Sequence, residues 1–598
     1  MKANVRERLQ RMHRLMQEHH MQYYLVTTAD YHNSEYVGEY FKFREYMSGF
    51  TGSNGDLLIG EESGLWTDGR YFIQAEQELE GSGISLFRMG EEKVPELTEY
   101  LKEHLREGSR LGFDGRCISI QMGKKLEKIA EENGAGLVYD VDFSGDVWED
   151  RPVLSAGPIL LLEEEICGMT VAEKLEHVRK ELKKEDCEAL LLNKLDDIMW
   201  LFNIRGSDVP CNPVAMSYAV VTQKEAWLFL QKQSSQTEAV KGWESKQPLT
   251  ILDYHDLSAF LEEYEFSGKV WMDERQMNYF LYKLVEEKAE VYLKDAPTEL
   301  MKARKNEEEL RQIREVYKKD SLAVCRFMRW VKENAGRIPM TECSAAEYMD
   351  DLRRKTEGFL ELSFPTISGY RENAAMMHYK ATEQHQKEIV AEGMLLVDSG
   401  GQYMGGTTDV TRTFALGSVT QEMKNHFTAV AVGMLRLMDA RFLQGCTGKN
   451  LDILARGPLW DMGIDYKCGT GHGIGYILNV HEGPQRIIWK YAPGAKEAVL
   501  EEGMILSNEP GVYVEGSHGI RTENIMAVKK DVKTGDGQFL SFECLTFVPL
   551  DLDLVEVSML ENKDRERLNR YHRQVYEQIS PMMEEEERAW LRQVTRPV

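Results

Sequence analysis

Two segments of the chain share a plan that few folds accommodate: a strand-like run, a glycine-bearing turn and a second strand-like run, with one carboxylate on each arm. In an antiparallel hairpin, facing residues have a constant index sum. In MLLVDSGGQYMGGTTDVTRTF (394–414), the numbers of Asp398 and Asp409 add to 807, as do those of Gly401 and Gly406. A turn centred on Tyr403–Met404 therefore sets the two aspartates opposite each other. In EGMILSNEPGVYVEGSHGIRTENIMAV (502–528), Glu509 and Glu523 are symmetric about Gly516, so a turn at Glu515–Ser517 brings them face to face. Arg521 lies two residues from Glu523, on the same strand face. Asp398 follows an apolar run and Asp409 precedes a Thr/Arg/Phe alternation, so both point into a half-buried sheet face. Buried facing carboxylates repel unless a cation sits between them.

Between these segments, CGTGHGIGYILNVHEGP (468–484) places glycines at 469, 471, 473 and 475 around His472. A backbone so bared can bring an imidazole up to a ligand. Each segment alone also fits a plainer role: two turn aspartates, a structural Glu–Arg pair, a hydrogen-bonded loop histidine. Together they supply two Asp, one His and two Glu, the hard, oxygen-rich donor set of a two-metal hydrolytic centre rather than of structural zinc. Four carboxylates balance two divalent ions, and a water between such ions ionises readily.

The chain has 598 residues, which suggests two to four domains. With 42% hydrophobic and 29% charged residues it can bury more than one core, and wholesale disorder is excluded. The formal charge of −26 argues against nucleic acid and anionic membrane as partners, leaving room only for a local basic groove. Met1–His20 has helical apolar spacing rather than a signal peptide's unbroken apolar stretch, and no segment reaches the length of a membrane span. Nine scattered cysteines without a C-x-x-C pair fit a reducing cytoplasm.

From Tyr23 to about Asp146, apolar runs alternate with amphipathic helices, as in an α/β domain. The stretch 147–159 reads as a linker into a second alternating segment, with a helix at 171–183 and a strand at 188–193. YYLVTTAD (23–30) and ALLLNKLDD (189–197) both set an apolar strand before an acidic turn, which raises an internal repeat without deciding it. Near Asp295–Thr298 a long helical register begins, with Leu310, Ile313, Val316, Tyr317, Phe327, Trp330 and Val331 as its buried stripe. The charged amphipathic tail, 562–578 and 583–593, reads as solvated surface helices or an oligomer contact.

The order D-x10-D, GTGHG, NVHEGP, NEPG and GIRTEN resembles the pita-bread metallopeptidases, specifically the long three-domain cytosolic Xaa-Pro aminopeptidases. EYMSGFTGSNG (45–55) with WTDGRYF (66–72) is similar to the first domain of that group, and WLFNIRGSDVPCNPVAMSYAVV (200–221) to its second. The resemblance covers essentially the whole chain. It implies an α/β (α+β) protein with creatinase-like domains at 1–152 and 153–297 and a pita-bread catalytic domain with a C-terminal extension at 298–598.

It further implies a metalloaminopeptidase that removes the first residue from peptides with proline second, through a hydroxide held by two divalent ions, Mn²⁺ being expected. By resemblance, Asp398 and Asp409 hold the first metal, His472 and Glu509 the second, and Asp409 and Glu523 bridge. Glu509 is then also the proton shuttle. His378, in SFPTISGYRENAAMMHY (363–379), and His481 match substrate-binding histidines, and Arg521 supports the cluster near Glu523. Homodimerisation, peptide substrates and a cytoplasmic location are expected on the same ground. Cys468 departs from the pattern, standing where the family has a histidine four residues before the metal histidine. Prolidase, restricted to dipeptides, uses the same five ligands, and pita-bread domains also serve as non-catalytic binding modules that lack ligands of the pentad. The two long N-terminal domains and the complete pentad favour the aminopeptidase.

Overall fold

The computed structural model describes residues 2–491 and 497–598, which form two compact units. One consists of residues 1–162 and 169–298, the other of residues 163–168 and 299–598.

The first unit holds two six-stranded sheets. Strands Tyr23–Thr27, Asp56–Ile59, Ser63–Thr67, Ile84–Arg88, Arg110–Phe113 and Gly136–Val138 form one. Strands Cys187–Leu192, Ser217–Thr222, Ala226–Leu230, Thr250–Asp253, Lys269–Met272 and Val291–Leu293 form the other. Numbered along the chain within each sheet, both read 4-3-2-1-5-6. In both, strands 1–2 and 2–3 pair antiparallel while 3–4, 1–5 and 5–6 pair parallel. The repeat raised by the sequence is therefore a repeat of topology, and the two matched segments supply strand 1 of each sheet. His32, buried just after the first strand 1, joins the halves: its ring bonds the carbonyl of Asn193 and the hydroxyl of Tyr254, each at 2.8 Å.

The second unit starts from the helix Glu307–Asn334. Its start is fixed by a capping box between Asn306 and Glu309, and Glu307–Glu309 place negative charge at the positive end of the helix dipole. The buried stripe runs as the periodicity predicts, except that Trp330 stays partly exposed. Truncating the fully buried Phe327 to alanine would cost about 3–5 kcal/mol. The first turns of this helix pack on Gly406, and the Tyr317 hydroxyl donates to the Thr407 carbonyl at 3.0 Å, so the helix braces the first carboxylate hairpin.

That hairpin departs from the expected register. Asp398 faces Thr411 and Tyr403 faces Gly406, both pairs adding to 809 rather than 807. The turn is Met404–Gly405, where Gly405 takes φ +118°. Midway the hairpin changes sheets: Met394–Ser399 and Val410–Ala415 pair in one, Gly401–Tyr403 and Gly406–Thr407 in another. A side chain at Gly400 would meet the Thr408 carbonyl oxygen at 2.0 Å, so only glycine permits the crossing. Asp409 sits in the break, outside either strand.

The second hairpin keeps its expected register. Gly511–Val514 pairs with His518–Arg521, Ile505–Asn508 pairs with Asn524–Ala527, and all pairs add to 1032. Glu509 and Glu523 occupy the gap between the two ladders.

The C-terminal tail differs from expectation. In the helix Asn562–Ile579, residues Leu568, Tyr571, His572, Val575 and Ile579 are buried in the main core of this unit. The Tyr571 hydroxyl accepts from Arg412 Nη2 at 2.9 Å, and Arg412 also bonds the Glu523 carbonyl, so the tail supports a strand of the site. The net polarity of the helix, with five Arg or Lys between 562 and 579, masks this apolar stripe in the sequence. The helix Glu585–Val594 buries only Leu591.

Candidate metal centre

The break between strands in each hairpin points side chains into one place. The carboxylates of Asp409 and Glu523 and the imidazole of His472 each bring a donor atom within 4.8 Å of the others. His472 lies on the short strand Gly471–Gly473, where a Cβ on Gly471 would meet the Ser507 carbonyl at 2.0 Å. The glycines here serve close approach between strands as well as access to the ring. The His472 ring is oriented by its Nδ1, 2.8 Å from the Gly473 carbonyl, leaving Nε2 for the cluster. That Nε2 lies 3.3 Å from Glu509 Oε1 and 3.6 Å from Asp409 Oδ2. The side chains of His472 and Glu509 are 22% and 21% exposed against 6% for Asp409, so the open side of the cluster is the His472–Glu509 side.

Arg521 reaches Asp398 rather than Glu523, with Nη2 2.5 Å from Asp398 Oδ2 and Nε 4.0 Å from Glu509 Oε2. Its link to Glu523 runs through Thr411, whose Oγ1 accepts from Arg521 Nε at 3.1 Å and donates to Glu523 Oε2 at 2.8 Å. The remaining oxygens, Asp398 Oδ1 and Glu523 Oε1, are buried without a hydrogen-bond partner. A buried carboxylate oxygen without a donor is costly, and a divalent cation is the group that this set of oxygens fits.

Electrostatics point the same way. Burial and then the neighbouring carboxylates, Glu523 first, drive Asp409 well above the usual carboxylate range. Burial and the charges of Glu509 and Asp398 push Glu523 up to about 8. Glu509 runs opposite: burial would raise it, but the His472 hydrogen bond and charge and Arg521 hold it below its ordinary value. His472, despite burial, is held up at about 9 by Glu509. Without a cation the cluster keeps protons that a metal would displace.

His481 stacks edge-on against His472, ring centroids 4.3 Å apart. His378 lies on an exposed loop, and the carbonyl of the preceding Met377 is 3.5 Å from Arg521 Nη2. Burial, then the Glu509 charge, pushes the Cys468 thiol up to about 12, so it stays protonated and is no nucleophile at neutral pH.

Several supporting residues escaped the sequence reading. Ser507 Oγ accepts from the His472 backbone N–H at 2.9 Å and lies 3.1 Å from Glu509 Oε1. Arg456, fully buried, pairs with Asp452 one turn earlier and donates to the carbonyls of Tyr466 and Cys468. Asp452 also accepts from Thr470 Oγ1, and the Thr470 carbonyl accepts from Glu509 N. This network fixes the segment leading to His472. The i,i+4 spacing of Asp452 and Arg456 was a usable signal, as was Thr411 two residues beyond Asp409.

The profile of metallopeptidase family M24 matches residues 311–530, and that of its C-terminal region matches 538–598. The Creatinase/Prolidase N-terminal domain matches twice, at 8–153 and 150–309. Aminopeptidase P1 of Arabidopsis thaliana is 35% identical, the match covering 96% of each chain. The chain belongs to metallopeptidase family M24. Xaa-Pro aminopeptidase 1 of Dictyostelium discoideum, 34% identical, matches this M24 chain over 100% of its length and 97% of its own. Among solved structures, the X-prolyl aminopeptidase of Caenorhabditis elegans, described as a cytosolic enzyme with a di-nuclear active site, superposes with a TM-score of 0.91 at 32% identity. That match covers 97% of this chain and 95% of the other. The M24 unit is thus the pita-bread domain, and the twin sheets are creatinase-like.

Proposed function

We propose that this M24 chain is an Xaa-Pro aminopeptidase that releases the first residue of peptides with proline in second position. The observation that carries the reading is the gathering of Asp398, Asp409, His472, Glu509 and Glu523 in one cluster, with buried carboxylate oxygens left for a cation. Full-length likeness to Xaa-Pro aminopeptidases supports the substrate class.

In this reading Asp398, Asp409, His472, Glu509 and Glu523 hold two divalent ions, Mn²⁺ by the hardness of the set. Such ions supply Lewis acidity and an acidified water at neutral pH. Glu509, beside the Arg521 charge, takes a proton from the attacking water and delivers it to the proline nitrogen as the C–N bond breaks. His378 and His481 donate hydrogen bonds to the substrate carbonyl as negative charge develops on its oxygen. Arg521 neutralises Asp398 and fixes its orientation. An Xaa-Pro bond has no N–H to hold, so selection rests on the shape of the ring.

The same reading divides the chain at 1–152, 153–297 and 298–598 and makes the protein a cytoplasmic homodimer. Among the described residues, no helix is long and apolar enough to cross a membrane, and no disulfide is formed. The test is a side-by-side assay of Arg-Pro-Pro, Arg-Ala-Pro and acetyl-Arg-Pro-Pro. Only the first should be cleaved efficiently, and comparable hydrolysis of all three would refute the assignment.

A further inference from the structure

His378 lies in the segment between Tyr370 and Lys387, which has little regular structure to hold it. What it has is one buried carboxylate. Glu342 opens the helix Glu342–Arg354 behind its cap Thr341 and is 0% exposed. Its Oε1 accepts from Tyr370 N at 2.7 Å and from Asn373 Nδ2 at 3.1 Å. Its Oε2 accepts from the Tyr379 hydroxyl and from Lys387 N, each at 2.8 Å, and again from Asn373 Nδ2 at 3.1 Å. All four donors belong to the segment, including both of its ends and the residue beside His378. In return Glu342 N donates to the Lys387 carbonyl.

The other neighbour of His378 is tied to the metal cluster. The Met377 carbonyl faces Arg521 Nη2, and the Ala374 carbonyl packs so closely on Gly519 that a Cβ there would stand 1.7 Å away. His378 is thereby bracketed by Met377, held toward Arg521, and by Tyr379, held by Glu342.

We propose that Glu342 is the positioning residue for His378, holding its loop in the one arrangement that turns the imidazole to the substrate; this rests on the reading of His378 as a substrate-binding group. The chemistry calls for a carboxylate. Every partner is a donor, and only an ionised Glu accepts on both oxygens. Glutamine keeps the shape but turns an NH₂ against at least one buried donor, leaving it unsatisfied.

The experiment compares Glu342→Gln, Tyr379→Phe, His378→Ala and the two double variants with His378→Ala. It reads kcat and KM on Arg-Pro-Pro, metal content by mass spectrometry, and amide exchange over 370–387. Glu342→Gln should lower kcat/KM by about tenfold or more. Metal content should stay unchanged and exchange in the loop should rise. The Glu342→Gln/His378→Ala enzyme should be no slower than His378→Ala alone. Tyr379→Phe should show a smaller loss with the same non-additivity, and it carries the test if Glu342→Gln does not fold. Losses that multiply in the double variants, or loss of metal in Glu342→Gln, overturn the proposal while leaving the His378 reading intact. A His378→Ala enzyme of wild-type rate overturns both.

Discussion

Thr411 stands between Arg521 and Glu523, with one hydroxyl bonded to both, 3.1 Å from the guanidinium nitrogen and 2.8 Å from the carboxylate. The hydroxyl fixes which Glu523 oxygen faces the cluster and leaves Oε1 for a cation. Thr411→Val keeps the β-branched shape that the strand wants and removes only this link. Metal affinity should fall about 10- to 100-fold, measured by competition with a fluorescent chelator. Unchanged affinity would remove Thr411 from the account.

Glu509→Gln should abolish turnover while part of the metal stays bound, because an amide cannot accept the water proton. His481→Ala should keep its metal and lose about 10²-fold or more in rate. Metal analysis beside kcat separates the two roles, and a His481 variant that loses metal would make it a ligand.

Metal binding should release protons. Glu523 at about 8 and His472 at about 9 are mostly protonated at pH 7 in the metal-free cluster, and Asp409 is shifted in the same direction. Ligation needs them deprotonated, so affinity should climb as pH rises from 7 through about 9. Calorimetry at pH 7 in buffers of different ionisation enthalpy should show more than one proton released per chain. Buffer-independent heat would contradict this.

Much of this was legible in the residues. The second hairpin could be read because alternation and a single central glycine fix its symmetry, and Gly511–Arg521 through Val514–His518 pair as that symmetry requires. The first could not. Gly401 and Gly406 look like a turn pair, but the residue that needs a positive φ is Gly405, and the crossing at Gly400 lets the two arms serve different sheets. Glu342 was illegible for another reason: its four donors come from a segment that has no periodicity to reveal it.

Acid should weaken the fold through His572. Its Nε2 accepts from Leu550 N at 3.1 Å, and burial with the charges of Arg412 and Arg596 lowers its pKa from 6.5 to about 3. The unfolded chain binds a proton below 6.5 that the folded one refuses, so this stability is present above 6.5 and is lost as pH falls toward 3. Between pH 7 and pH 5 the loss is about 2 kcal/mol. Urea unfolding of the protein and of His572→Gln should show a smaller loss in the variant. Parallel pH profiles would exclude His572 as the cause.

Two ions held by Asp398, Asp409, His472, Glu509 and Glu523 are expected to drive cleavage before proline. The most direct test is titration of metal-stripped protein with Mn²⁺ while following Arg-Pro-Pro hydrolysis. Activity should be absent without metal, rise with added ion and reach its plateau at two equivalents per chain. Full activity in protein shown by mass spectrometry to be free of metal would contradict the account.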